Sequence, residues 1–243
     1  MRRRVWRILS SLLILTSATT ILFTPAIAGA DILVDGQAIA GESWTLLPDG
    51  RWLIVGGRGP RGPLDAAAVC DPLTQTITWL RATLAQRRAW HSATTLADGM
   101  VVIAGGLGAQ GIVTTLELFD PDAETFVPTV SWSRARAGHS ATVLSDGRVL
   151  IAGGVTDAGV PVATVELWDL DHETIRILTG PTTPRATHSA TLLLDGRVVL
   201  SGGADAMGTA LTDGELFDPQ VEQFFPVSSG ALELVHPDRK PRC

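Results

Sequence analysis

Three Arg-x-x-His segments recur along the chain: Arg88/His91, Arg136/His139 and Arg185/His188. Guanidinium groups recognise anions, and neutral imidazoles are common metal ligands. Three converging imidazoles could bind Zn²⁺ or Cu²⁺ at about 2 Å. Repetition favours another reading. A residue present once per repeat serves contacts between repeats, and repeat spacing holds the rings too far apart to share one ion. The six residues are therefore expected first as a structural hydrogen-bonding set. Their second role would be an anion-binding ring at one mouth of the fold. No metal site, cofactor or catalytic residue is expected. The first copy carries Ile39 and Glu42 instead, so any ring is incomplete.

Glu117, Glu166 and Glu215 recur in the same way. A buried carboxylate needs partners. These are expected to pair with the repeated arginines rather than to act as catalytic acids. His172 is expected in a solvated turn. Trp79, Trp90 and Trp132 could stack on sugars, although core packing explains them equally well. There is no nucleophile elbow, HExxH motif or Gly-rich phosphate loop.

These residues are carried by a unit written four times. Three clear copies begin at His91, His139 and His188, and a weaker one begins at Glu42. The Gly-Gly pairs Gly56-Gly57, Gly105-Gly106, Gly153-Gly154 and Gly202-Gly203 recur at steps of 49, 48 and 49 residues. A fixed step of that size denotes a repeat array. Within a unit, an alternating segment such as His139–Leu144 precedes an Asp-Gly turn, expected to be a two-residue type I′ turn. A continuous apolar run follows, Val149-Leu150-Ile151-Ala152, as in a strand covered on both faces. Then come Gly-Gly, a loop, a third strand such as Val165-Glu166-Leu167-Trp168, an Asp-Pro turn and a short fourth strand such as Thr125-Phe126-Val127. Proline at the second turn position presets φ. Four antiparallel strands per unit predict an all-β fold of β-propeller blades. The repeats span about 42–90, 91–138, 139–187 and 188–230.

These motifs resemble bacterial kelch-repeat proteins of the galactose oxidase central-domain superfamily. The resemblance covers about residues 42–228. It rests on the apolar strand ending in Gly-Gly and on the Glu-Leu-Phe/Trp-Asp-Pro run some 12 residues later. The chain departs from the pattern in having no tyrosine. Phe119, Trp168 and Phe217 stand at the third strand, and Ile77, Phe126, Ile175 and Phe224 at the fourth. The resemblance implies a kelch-type propeller, and its members include adaptor modules, carbohydrate-related secreted proteins and a few enzymes. The copper-radical oxidase chemistry of galactose oxidase needs a tyrosine, so that activity is disfavoured.

Strand parity places the tight Asp-Gly and Asp-Pro turns on one face. The longer loops Arg58–Asp65, Leu107–Val113, Val155–Ala163 and Ala204–Thr212 lie on the other, with the links between blades. Variable loops on a rigid scaffold are where binding resides. The expected function is thus a secreted, non-catalytic kelch module that binds a protein or a carbohydrate through the long-loop face. The alternatives are a galactose-oxidase-like enzyme and a truncated propeller without independent activity.

Arg2, Arg3, Arg4 and Arg7 precede an apolar run from Ile8 to Phe23, and Ala26-Ile27-Ala28 forms a small-x-small site. Residues 1–30 read as a signal peptide cut near 28–30, leaving a 31–243 propeller domain that is secreted, periplasmic or on the cell surface, with no membrane span. Without the leader arginines, 15 basic residues face 25 acidic ones, a net charge of about −10. That excludes general nucleic-acid binding. Cys70 fills the slot of Phe119, Trp168 and Phe217, so simple burial is expected in preference to a Cys70–Cys243 disulfide. Kelch rings usually close with more than four blades. The chain at a fifth start reads Glu233-Leu234-Val235-His236-Pro237. Three readings follow: an open arc, a four-bladed ring, or a ring completed by self-association. Ile32-Leu33-Val34 aligns with the fourth strand of an absent earlier blade.

Overall fold

The computed structural model describes residues 33–34, 37–131, 134–170, 172 and 174–227. The proposed leader and the tail from 228 onward lie outside them. Among the described residues there is no helix. Strands β1 (Leu33–Val34) and β2 (Gln37–Ala38) form a two-stranded ribbon. Leu33 and Val34 thus pair with the next few residues and do not complete an earlier blade.

Blade 1 consists of β3 (Ala40–Leu46), β4 (Trp52–Gly59), a short β5 (Gly62–Pro63), β6 (Ala67–Asp71) and β7 (Thr76–Trp79). Blade 2 holds β8 (Ser92–Thr95), β9 (Val101–Ala104), β10 (Thr115–Asp120) and β11 (Thr125–Ser131). Blade 3 holds β12 (Ala137–Val143), β13 (Val149–Val155), β14 (Thr164–Asp169) and β15 (Thr174–Thr179). Blade 4 holds β16 (Ser189–Leu192), β17 (Val198–Ser201), β18 (Gly214–Asp218) and β19 (Gln223–Val227). Each blade is an antiparallel meander whose four main strands pair in chain order, with β5 pairing beside β4. The expected all-β blade architecture is what the chain adopts.

In blades 2 and 3 the unbroken apolar second strands are buried on both sides because a blade stacks on either face. Leu53, Val55 and Val69 of blade 1 pack with Val101, Ile103 and Phe119 of blade 2. Ala104 and Leu116 meet Val149, Ile151 and Trp168. Leu150, Ala152 and Leu167 meet Val198, Leu200 and Phe217. Alternate residues of β13 thus serve opposite neighbours. Innermost strands follow suit: β3 lies on β8, β8 on β12, and β12 on β16. No comparable packing joins blade 4 to blade 1 among the described residues.

The turns differ from expectation in one respect. At each Asp-Gly only the glycine has positive φ (Gly50, Gly99, Gly147 and Gly196). The Gly147 N–H donates to Leu144 C=O at 3.0 Å, and the Leu144 N–H to Arg148 C=O at 2.8 Å. This is a three-residue loop ending in a left-handed glycine, the bulged hairpin alternative to type I′. Pro48 at the second position of the first such turn fits this form, because its fixed φ suits a right-handed turn.

Close approach requires glycine at Gly56, Gly106, Gly153, Gly154 and Gly203. A Cβ on Gly56 would stand 2.5 Å from Arg88 O and 2.8 Å from His91 Cε1, both in the next blade's entry segment. A Cβ on Gly106, Gly154 or Gly203 would stand 2.8–2.9 Å from the Cβ of its own blade's histidine. Gly56→Ala should therefore cost about 2–5 kcal/mol, combining left-handed strain with overpacking. Gly50→Ala, with nothing within 4 Å of its Cβ, should cost about 1–2 kcal/mol from strain alone. Urea midpoints of the two variants test the contrast; equal losses would remove close approach as the reason for the pair.

Cys70 is buried with Ile54 and Ala68 on the face of blade 1 that points away from blade 2. It is also disulfide-bonded, which the expectation of simple burial did not include. The chain's only other cysteine, Cys243, lies outside the described residues.

Candidate functional site

Each repeated arginine folds back into its own blade. The Arg88 Nη1 donates to Gly105 C=O (3.2 Å) and Thr115 C=O (3.1 Å), and its Nη2 donates to Glu117 Oε1. Glu117 also accepts the N–H groups of Ala85 (2.7 Å) and Gln86 (3.3 Å) from the link before the blade. Blade 3 repeats this with Arg136 and Glu166, whose second oxygen accepts Trp168 Nε1–H at 3.0 Å. Blade 4 repeats it with Arg185 and Glu215, where Thr182 and Thr183 supply the N–H donors. All three pairs are buried. Burial pulls the Arg88 and Arg136 guanidinium groups below their ordinary range, and the facing glutamates oppose that pull. The expected arginine–glutamate pairing is present, and it fastens the entering link to the blade's third strand.

The histidines work between blades. His91 Nε2 and Ser43 Oγ share a hydrogen bond at 2.8 Å, His139 and Ser92 at 2.9 Å, and His188 and Ser140 at 2.9 Å. Each serine belongs to the inner strand of the preceding blade. Burial, reinforced by the neighbouring arginine, pushes all three imidazoles down to about 3. They are neutral at physiological pH. Among the described residues no group of three or more metal-binding side chains assembles.

Two backbone bonds complete each joint. The N–H before each histidine donates to the matching carbonyl one blade back: Trp90 to Gly41 (2.7 Å), Gly138 to Trp90 (2.8 Å) and Thr187 to Gly138 (2.7 Å). The second glycine of each pair donates forward: Gly57 to Arg88 C=O, Gly106 to Arg136 C=O and Gly154 to Arg185 C=O, at 2.8–2.9 Å. The three histidines thus lie on the seams between blades, where the arginines contribute their backbone carbonyls and keep their side chains within their own blades. The serines, legible in the His-Ser-Ala-Thr runs, were the partners sequence reasoning did not single out. It also passed over Arg51–Glu124 (3.4 Å) and Arg148–Glu222 (3.1 Å), which bridge neighbouring blades. Met100 replaces this arginine in blade 2. His172 is exposed, as expected, beside Asp169.

The two kinds of tight turn share one face. There, Asp146, Asp195, Arg197 and Asp218 line a cleft of about 450 Å³ between blades 3 and 4. Asp49, Asp98, Asp120 and Asp122 line one of about 200 Å³ between blades 1 and 2. The long loops on the opposite face stand on a repeated base. Bridges pair Leu107 with Ile112, Val155 with Pro161 and Ala204 with Ala210, and β4 pairs with β5 in blade 1. Their tips differ: Arg61, Gln110, Val160 and Met207 are all exposed.

No family model matches this chain, and no curated protein does. Among solved structures, the protein YjhT is similar. The TM-score is 0.68 at 14% identity, and the match covers 82% of this chain and 73% of that one. The fold is a kelch-like β-propeller. At 14% identity the likeness speaks for the fold alone. A propeller shared at that distance carries no ligand with it.

Proposed function

We propose that this propeller is a non-catalytic, kelch-type binding module that acts outside the cytoplasm and recognises a protein or glycan through its long-loop face. The observation that carries this reading is the contrast between uniform loop bases and dissimilar exposed tips. The polar residues common to the repeats are spent on holding blades together, so specificity falls to what varies. A basic, then apolar, N-terminal segment supports export, and a disulfide at Cys70 suits an oxidising compartment. The absence of tyrosine supports the non-catalytic reading over a radical oxidase. Membership of the galactose oxidase superfamily belongs to the same proposal.

A triple variant, Arg61→Ala with Val160→Ser and Met207→Ser, should weaken binding on a glycan array or to a captured protein at least about tenfold. Its thermal midpoint should stay near that of the parent, as for surface changes within about 0.5 kcal/mol. Leu73→Ser with Leu194→Ser, at exposed positions beside the tight turns, should leave binding intact. The reverse pattern would place recognition on the tight-turn face.

A further inference from the structure

Every blade ends in an outer strand, β7, β11, β15 or β19, whose far edge has no strand beside it among the described residues. Unpaired edges invite association, and natural sheets blunt them with proline or by shortness. Blades 2 and 4 do so with Pro128 and Pro226, which lie opposite Glu117 and Glu215 in the ladder. Blade 1 does so with a β7 of four residues. Blade 3 does neither. Its β15, Thr174-Ile175-Arg176-Ile177-Leu178-Thr179, runs six residues, and Ile177 lies opposite Glu166, where the prolines lie in the sister blades. The Gly180 N–H donates inward to Ala163 C=O at 3.0 Å. Alternation along the strand then turns the N–H and C=O groups of Ile175, Ile177 and Thr179 outward. The outward N–H of Ile177 is the one that proline removes in blades 2 and 4. The side chains are equally open. Ile175 and Ile177 are 55% and 48% exposed, whereas Phe126 and Phe224, at the place of Ile175, rest on Phe119 and Phe217. The strand's one charge, Arg176, is neutralised by both carboxylate oxygens of Glu222, at 2.6 and 2.7 Å.

We propose that β15 is a docking edge for the β15 of a second copy of this chain, the two strands pairing antiparallel about a two-fold axis at Ile177. Outward groups must meet outward groups, and that fixes the register. Ile177 faces its own counterpart, and Ile175 faces the Thr179 of the other copy. This register closes two hydrogen bonds at each of the three residue pairs. No charge meets its like, because Arg176 faces the Leu178 of the other copy. The strand is thus complementary to itself, as a two-fold contact requires. Ile175 lies beside Trp168, on the side of the blade turned to blade 2. On that side Ile175, Ile177 and their symmetry mates form one apolar row, and cross-strand pairs of this kind stabilise a ladder. An unrelated extended peptide would meet the same outward groups. Self-complementarity of backbone, charge and side chains together selects the second copy. An interface of one strand pair lies at the small end of specific contacts, below about 1,200 Å², so the dimer forms reversibly and with concentration.

The test is sedimentation velocity of the full chain from about 1 μM to about 1 mM. The parent is expected to pass from monomer to dimer across that range. Ile177→Pro restores the residue that blades 2 and 4 carry, so it should keep the parent's thermal midpoint while raising the dimer dissociation constant at least about tenfold. Ile177→Lys keeps the backbone N–H but sets two like charges face to face, and should weaken the dimer as much. Leu73→Lys, at an exposed turn position in blade 1, should leave dimerisation unchanged. Hydrogen exchange locates the contact. The amides of Ile175, Ile177 and Thr179 should become protected as concentration rises, and should stay open in Ile177→Lys. Those of Arg176 and Leu178, already paired inside the blade, should not respond. A parent that stays monomeric throughout the range overturns the proposal. A dimer that persists in both Ile177 variants, or one that forms without protecting the three amides, overturns it as well and places the contact elsewhere.

Discussion

Glu117→Ala should remove about 3–5 kcal/mol of stability, a large share of the 5–15 kcal/mol typical of a folded domain. The change leaves the Arg88 guanidinium buried with only neutral carbonyls to face. It also strands the N–H groups of Ala85 and Gln86, which no other described acceptor reaches. An uncompensated buried cation is costly, whereas removing both charges is not. Arg88→Met combined with Glu117→Leu should therefore recover much of the loss. Guanidinium denaturation of the two singles and the double would give the coupling between them. A Glu117→Ala variant within about 1 kcal/mol of the parent would show that the pair holds nothing.

Mild acid should unfold the protein. The three seam histidines have folded values of about 3 against about 6.5 when solvated. Between those values the unfolded chain binds more protons than the folded one, so stability falls as pH falls. The stabilisation is complete above about 6.5 and is lost progressively towards 3. By pH 5 each ring costs about 2 kcal/mol, and the three together about 6 kcal/mol, on the order of the whole stability. The turn aspartates do not confuse the reading. Arg148 and Arg197 hold Asp146 and Asp195 below their ordinary 3.8, so their contribution is lost only at still lower pH. His139→Gln, which keeps a polar group near Ser92, should reduce the pH dependence by about a third. A denaturation midpoint unchanged between pH 7 and pH 5 would sink the assignment of these rings as buried and neutral.

Blade boundaries were legible because Gly-Gly, Asp-Gly and Glu-Leu-Phe/Trp each mark a fixed backbone event. The arginine–glutamate pairs were legible because opposite charges recurring at one spacing beside apolar strands must neutralise each other to be buried. The turn type was not, since Asp-Gly serves both the two-residue and the bulged hairpin and only φ at the aspartate separates them. The histidine partners were hidden because the contact is distant in the chain. Ser43 lies 48 residues from His91, and nothing local to either reveals which serine crosses the seam. The disulfide at Cys70 was obscured by a slot that burial alone already accounted for. Loop tips carry no repeat at all, and so no internal comparison says what they meet.

The backbone relay from Thr187 to Gly138 to Trp90 to Gly41 has an evolutionary corollary. Each module hands its neighbour an identical set of connectors. A gene could therefore gain or shed a module by unequal recombination without inventing a new junction. Among the four described modules the incoming half of that set differs in the first, where Ile39 and Glu42 stand in place of the arginine and histidine.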